Sequence, residues 1–433
     1  MHAGREDDSH GAQAAYERRL ADAASADHDH ARSAITIASS GHAMGARERF
    51  GAGASSASSA TSVVIDGRTL LSFAGCNYLG LAHHPRVIAA LSESLGAHGI
   101  SCGASRETTG NSTAHEDLER DVARFLRTPS ALLVPDGYLA NLVAAQGLAP
   151  DHELVLVDER SHASIADALA AAGWRTVEYR HASASAAARE LERALTTAAG
   201  REIGPVRATN RSGPRIAIFT DGVFPAHGTM APLRELLALL PDERGTLVVD
   251  DAHATGVLGA SGRGTCEHFG LDDPRVVITS TLSKALGCFG GLVAGSEERV
   301  RSIRERSRAF AGSSPIPPAL ARAGSAAIGE LESDPSRLAR LRANTARLRE
   351  RFGALRLPAH ELDVPVFAFA LDAPERMRRV HEELLERGIL APCIRYPDGV
   401  HDRGSWFRIA LSSEHTREHI DRLADALRSA LGR

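Results

Sequence analysis

Between residues 131 and 280 the chain repeats one pattern: a short, unbroken apolar run, a polar turn, then a segment with apolar positions at helical spacing. The runs at 131–134, 154–157, 175–179, 215–220, 246–250 and 276–280 are rich in β-branched residues and read as strands. Helical segments near 138–148, 164–172, 185–198 and 232–240 separate them. Strands that are apolar throughout, rather than alternating, are buried on both faces. The pattern therefore predicts an α/β fold, a mostly parallel sheet covered by helices.

Upstream, Pro85 opens a helix running to about Gly96, with proline at its first turn. A second helix is expected from Thr113 to Leu126, with Thr113 and Glu116 forming a capping box. Residues 63–70 read as a hairpin around Asp66-Gly67. Beyond about 330 the pattern changes: arginine-rich helices at 336–353, 375–388 and 416–431 flank apolar strands at 365–371 and 406–411. The expected organisation is an N-terminal extension at 1–60, largely disordered, and an arm at 61–80. A large domain at 81–330 and a smaller α+β domain at 331–433 follow. His28 and His30 fall in the extension and read as part of a solvated tail.

Composition narrows the function. A net charge of −4 gives no bulk field for nucleic acid, and no basic tract carries interleaved aromatics. The five cysteines (76, 102, 266, 288, 393) form no CxxC and no metal spacing, which points to a reducing, cytoplasmic setting without a metal site. No apolar run reaches spanning length, and the first residues lack the charged-then-apolar layout of a signal peptide. The glycines from Gly256 to Gly264 miss the G-x-G-x-x-G spacing and no Walker loop is present, which weighs against nucleotide binding.

One position then stands out. Lys284 is the only lysine in 433 residues, and it follows the strand-like run Val276-Val277-Ile278 within Thr279-Ser280-Thr281-Leu282-Ser283-Lys284. A desolvated lysine amine condenses with aldehydes, chemistry that arginine cannot perform. Neighbouring hydroxyls and main-chain N–H groups suit a phosphate, and aldehyde plus phosphate describes pyridoxal 5'-phosphate (PLP). A lysine spared by chance in an arginine-biased chain is the alternative.

In an open parallel sheet, ligands bind beyond the carboxyl ends of the strands. After the run at 246–250 come Asp250-Asp251-Ala252-His253: a carboxylate able to pair with a pyridinium nitrogen, and a histidine able to bond a phenolic oxygen. A strand-end aspartate capping the next helix is equally common. After 154–157 comes Ser161-His162-Ala163-Ser164, where His162 could stack on a flat cofactor or simply begin a helix. After 131–134 comes Pro135-Asp136-Gly137-Tyr138, a glycine at a helix start suited to an anion, or an ordinary turn.

Taken in order, these segments resemble the α-oxoamine synthase family of fold-type-I PLP-dependent enzymes across roughly residues 70–430. The resemblance also rests on Asn77-Tyr78-Leu79-Gly80-Leu81, on Gly103-Ala104-Ser105-Arg106 with Gly110 and His115, and on Asp221-Gly222-Val223-Phe224. Gly262-Arg263-Gly264 and Gly290-Gly291 complete it. It implies that Lys284 is the Schiff-base lysine and acid/base shuttle, that Asp250 holds the pyridine nitrogen, and that His253 bonds the phenolic oxygen. By the same resemblance His162 stacks on the ring, while Gly137, Tyr138 and Thr281 hold the phosphate. Ser313 and Ser314 match a segment that reaches the phosphate of the other subunit, implying a homodimer with shared sites. Arg408 falls where the family binds the amino-acid carboxylate, assisted by Asn77, with Arg395 and Ser105 near the substrate.

The implied reaction condenses an amino acid, alanine favoured, with an acyl-CoA or acyl-carrier-protein thioester and loses CO2 to give an α-amino ketone. Another α-oxoamine synthase specificity, or a PLP-binding protein without acyltransferase activity, are the alternatives. Three departures from the family pattern stand out: Pro225 replaces a serine, Glu107-Thr108-Thr109 replaces an apolar-serine segment, and Asp398 replaces a threonine.

Overall fold

The computed structural model describes residues 56–57, 59–199, 214–226, 228–395 and 405–433. The expected disordered extension, with His28 and His30, lies almost wholly outside the described residues, as does Asp398. The strands in chain order are β1 (Ser56–Ala57), β2 (Ser62–Ile65), β3 (Arg68–Ser72), β4 (Ser130–Val134), β5 (Leu154–Asp158) and β6 (Thr176–Tyr179). They continue as β7 (Ile216–Asp221), β8 (Val223–Phe224), β9 (Thr229–Met230), β10 (Gly245–Asp250), β11 (Val276–Thr281) and β12 (Gly291–Gly295). The last are β13 (Val366–Phe369), β14 (Ile389–Leu390), β15 (Cys393–Arg395) and β16 (Ser405–Ala410).

The main sheet has seven strands in the order β4-β12-β11-β10-β7-β5-β6, and all pairs are parallel except those made by β12. Successive residues of each strand enter opposite cores. Leu154, Leu156, Ile216, Ile218, Leu247, Val249 and Ile278 face one apolar layer. Val155, Val157, Ala217, Phe219, Val248 and Val277 face the other. Each fully buried aliphatic side chain of this kind contributes about 1.5–3 kcal/mol, which is why the centres of these strands are aliphatic or aromatic. The polar residues appear where the strands leave the core: Asp158, Asp221, Asp250 and Thr281 each end a strand of the parallel set.

Strand β12 was not foreseen. It is short and glycine-bounded, yet it inserts between β4 and β11, pairing Gly291 with both Val134 and Thr281. A side chain at Gly291 would lie 2.1 Å from the Asp136 carbonyl oxygen, so only glycine permits this approach. The helix from Pro85 extends to His98. The helix Thr113–Leu126 is as expected, but its cap is not: Ser112 is the N-cap, and its capping box closes on His115. Thr113 is already helical, so it cannot adopt the extended backbone that Ser112 takes, and Glu116 instead accepts from Asn111 Nδ2 at 2.7 Å. His115 is thereby fixed to bond the Ile316 carbonyl at 2.7 Å.

At the arm, Asp66 (φ 49°) and Gly67 (φ 72°) make the two-residue turn between β2 and β3. β3 also pairs in parallel with β14, which ties the arm to the C-terminal segment. The helix Pro318–Ser333 runs through position 330 and packs on the helices Pro85–His98 and Thr113–Leu126. Beyond it, β13, β16 and β15 form an antiparallel sheet, order β13-β16-β15, joined by the helices Ser336–Ala354, Pro374–Glu386 and Arg417–Ala430. A bond from Ala410 N to Phe73 O fixes β16 beside the arm. Among the described residues no helix is long and apolar enough to cross a membrane.

Candidate active site

The carboxyl ends of β7, β10 and β11 converge on Lys284. It lies three residues past β11, in a bend rather than a helix. Burial lowers its pKa, an effect only partly opposed by the negative groups of Cys76, Asp250 and Asp221, and Arg408 lowers it further. That environment increases the fraction of free amine near neutral pH.

Asp250, 8% exposed, is the anchored carboxylate of the cluster. Its Oδ2 accepts from Asn141 Nδ2 at 2.7 Å, and its Oδ1 from Ala252 N at 3.0 Å. Asn141 belongs to the helix Gly137–Leu148, one turn in. It also donates to Ser164 Oγ at 2.9 Å and accepts from Thr279 Oγ1 at 2.7 Å. Ser164 Oγ is 2.8 Å from His162 Nδ1, so a single buried chain of bonds runs from Asp250 to the His162 ring. Directly beside Asp250 in register stands Asp221, whose Oδ2 accepts from His162 N at 2.9 Å. Burial, reinforced by Asp250, pushes the Asp221 carboxyl well above the usual range.

His253 Nδ1 lies 2.9 Å from the Tyr78 hydroxyl, which fixes the imidazole and leaves Nε2 for another partner. Burial depresses its pKa strongly, and Lys284, Arg408 and His162 add to the effect, so the ring is neutral. Arg408, on β16, is held by the turn after β3: Nη1 donates to Gly75 O at 3.2 Å and Nη2 to Cys76 Sγ at 3.3 Å. Cys76, Lys284 and Arg408 thus sit close enough to perturb one another, although they come from opposite ends of the chain.

At the other end of the cluster, the helix Gly137–Leu148 begins against β11. A Cβ on Gly137 would lie 2.6 Å from Thr281 Cβ, so glycine is required for the helix start to sit there. Asp136 caps this helix by accepting from Leu139 N at 2.9 Å. The first amides of the helix, those of Gly137 and Tyr138, have no intrahelical acceptor and suit an anion. The Thr281 hydroxyl lies 2.8 Å from Ser283 Oγ and donates to Gly290 O at 3.0 Å. Tyr138 differs from expectation in detail. Its hydroxyl donates to Asp167, which raises its pKa, so its amide rather than its phenol faces the task of anion binding. Its ring meets His162 edge-on at 6.2 Å.

The remaining expected residues lie elsewhere in this single chain. Ser105 sits in the loop before the helix Thr113–Leu126, its carbonyl accepting from Gly110 N at 3.0 Å. Next to it, buried Arg106 pairs with Glu119 at 2.9 and 3.1 Å. Ser313 bonds Phe310 O at 3.3 Å, and Ser314 is exposed, both between the helices Arg308–Gly312 and Pro318–Ser333. Asn77 uses its side-chain oxygen to accept from Ala82 N at 3.3 Å, bracing the turn that carries Tyr78. The backbone of Arg395 ends β15 opposite Ser405. Pro225 begins the turn between β8 and β9. Asn141, Asp221, Ser164 and Cys76 had been given no role from sequence. None of the four carries a distinguishing local signal, since the helix that holds Asn141 also carries a second amide, Gln146.

A lysine of lowered pKa facing a fixed carboxylate, a neutral histidine and a glycine-shaped helix start fits a pyridoxal phosphate, group by group. The chain belongs to the aminotransferase class I and II family, whose model matches residues 68–427. Within it, the chain is similar to the 8-amino-7-oxononanoate synthase of Methylococcus capsulatus, 40% identical over 372 residues, 86% of this chain and 92% of that protein. It is also similar to the 8-amino-7-oxononanoate synthase of Thioalkalivibrio sulfidiphilus, 37% identical over 84% of this chain and 89% of that protein. Among solved structures, a serine palmitoyltransferase from S. paucimobilis with a bound PLP–myriocin aldimine superposes with a TM-score of 0.78. That likeness has 26% identity and covers 86% of this chain and 90% of that one.

Proposed function

We propose that this chain is a PLP-dependent acyltransferase of the α-oxoamine synthase type. It condenses an amino acid, alanine favoured, with an acyl-CoA or acyl-carrier-protein thioester and releases CO2, as an 8-amino-7-oxononanoate synthase does. The observation that carries this reading is the placement of Lys284 among Asp250, His253 and Arg408, since transfer to Cα needs an amine, an anchored acid and a carboxylate clamp together. When bound, PLP supplies the electron sink that makes the substrate's Cα proton removable.

The chain's own groups do the rest. Lys284 holds the cofactor and, once free, moves the proton at Cα. Asp250, oriented by bonds from Asn141 and Ala252 N, faces the ring nitrogen and holds its proton. His253 bonds the phenolic oxygen, and the His162 ring covers the cofactor's face. The amides of Gly137 and Tyr138, with Thr281, take the phosphate. Arg408 orients the substrate carboxylate through a charge-assisted fork, with Asn77, Ser105 and Arg395 around it. Ser313 and Ser314 reach the phosphate of a second copy, which makes the working enzyme a homodimer. Five unbridged cysteines suit a cytoplasmic setting.

A panel of acyl-CoA and acyl-carrier thioesters with alanine, serine or glycine, read by CO2 and thiol release, tests the assignment. Turnover of at least one pair, with CO2 and thiol in equal amounts, is expected. Transfer of the amino group to a keto acid without CO2 or thiol release would replace it with an aminotransferase. The likeness to serine palmitoyltransferase makes serine the second amino acid to try.

A further inference from the structure

We propose that Cys76 tunes the carboxylate clamp: its sulfur occupies an Arg408 donor in the resting site, and the amino acid binds by displacing it. The proposal rests on the reading of Arg408 as that clamp. A guanidinium has only donors, so at 3.3 Å from Nη2 the Cys76 sulfur is the acceptor. The other end of the fork is held separately, Nη1 on the Gly75 carbonyl at 3.2 Å, so the guanidinium keeps its place when the sulfur leaves. Sulfur is a weak acceptor and a carboxylate a strong, two-oxygen one, so the exchange favours substrate while setting a threshold for it.

The surroundings support a sulfur able to act as counter-ion. Burial works against its ionisation, but Arg408, Lys284 and bonds from Tyr78 and Arg408 outweigh it and bring the thiol below its ordinary range. The other shifted thiols go the opposite way: burial raises Cys102 and Cys266, and pushes Cys288 up to about 12. Cys76 also adjoins Asn77 and Tyr78, and Tyr78 bonds His253, so its turn connects the clamp to the cofactor-facing histidine.

The test is a titration of the PLP-loaded enzyme with alanine, serine and alaninamide, followed by the cofactor's absorbance. Alaninamide has the amine but no carboxylate, so it reports any change unrelated to the clamp. Cys76→Ala removes the competitor and should tighten alanine and serine binding about two- to tenfold, the worth of a modest hydrogen bond. Cys76→Asp installs a tethered carboxylate and should weaken both by at least about tenfold. Cys76→Ser, which keeps an acceptor, should fall between wild type and Cys76→Ala, and alaninamide affinity should hold across the series. A turn that matters only for folding would weaken every ligand in every variant. Shifts of the same sign in Cys76→Ala and Cys76→Asp, or equal shifts for alaninamide, overturn the proposal alone. Unchanged alanine affinity in Arg408→Ala overturns the clamp and the proposal together.

Discussion

Replacing Asn141 by leucine would show how much one side-chain bond contributes to the hold of Asp250 on the cofactor. The two side chains are close in size, so the substitution removes hydrogen bonds without opening a space for water. Two of the three lost bonds have fallbacks. Thr279 Oγ1 already lies 3.5 Å from Val249 O, and Ser164 Oγ keeps His162 Nδ1 at 2.8 Å. Asp250 has none of equal value, since it would retain only the amide of Ala252 at 3.0 Å. A hydrogen bond to a carboxylate contributes about 1.5–3 kcal/mol, and Asp250 should lose about that much of its support. Its hold on a protonated ring nitrogen should weaken in proportion, and PLP affinity by about 10- to 100-fold. Titration of the apoenzyme with PLP, followed by absorbance, measures this directly, with circular dichroism confirming the fold. An affinity within about threefold of wild type in a folded Asn141→Leu variant would refute the reasoning.

His253→Ala should lose most activity, because Pro225 offers no side-chain donor to share the phenolic oxygen. Pro225→Ser should be tolerated and should shift the pH at which the bound cofactor's absorbance changes. A His253→Ala variant with near-normal turnover would remove that role. Stability should depend on pH through His152 and His415, each drawn down to about 4 chiefly by burial. Both are neutral when folded and take up a proton on unfolding below about 6.5, so stability falls as pH drops from there towards 4. Melting temperatures at pH 7 and pH 5 check this, with a smaller difference expected in a His152→Gln/His415→Gln double variant.

The parallel strands were legible because burial on both faces forces an unbroken apolar run, as in Val276-Val277-Ile278, and the first polar residue then marks the site edge. Asp250, His253 and Lys284 follow such runs, and the structure brings them together at the carboxyl ends of the strands. Strand β12 was not, since Gly291 and Gly295 look like a loop and their use depends on the contact of Gly291 with Asp136. The capping box was misplaced by one residue because Ser112 and Thr113 are both good caps, and the choice was made by the His115 bond to Ile316. Asn141 acts on a residue 109 positions away, and Cys76 on one 332 positions away. Neither carries a local pattern, because both bonds form only when the main sheet sets β10 beside the helix Gly137–Leu148 and the smaller sheet sets β16 beside the arm.

Covalent attachment of the cofactor to Lys284 is open to a direct test, because the composition leaves almost no competing amine. Apart from the N-terminal amine, Lys284 is the only primary amine in the chain. Borohydride reduction of the yellow, PLP-loaded enzyme, followed by mass spectrometry of peptides covering residues 276–299, should find the pyridoxyl group on Lys284. An amine-reactive ester should then label the N-terminus alone in holoenzyme and reach Lys284 only after PLP is removed. An unmodified Lys284 after reduction, or equal labelling with and without cofactor, would contradict the account.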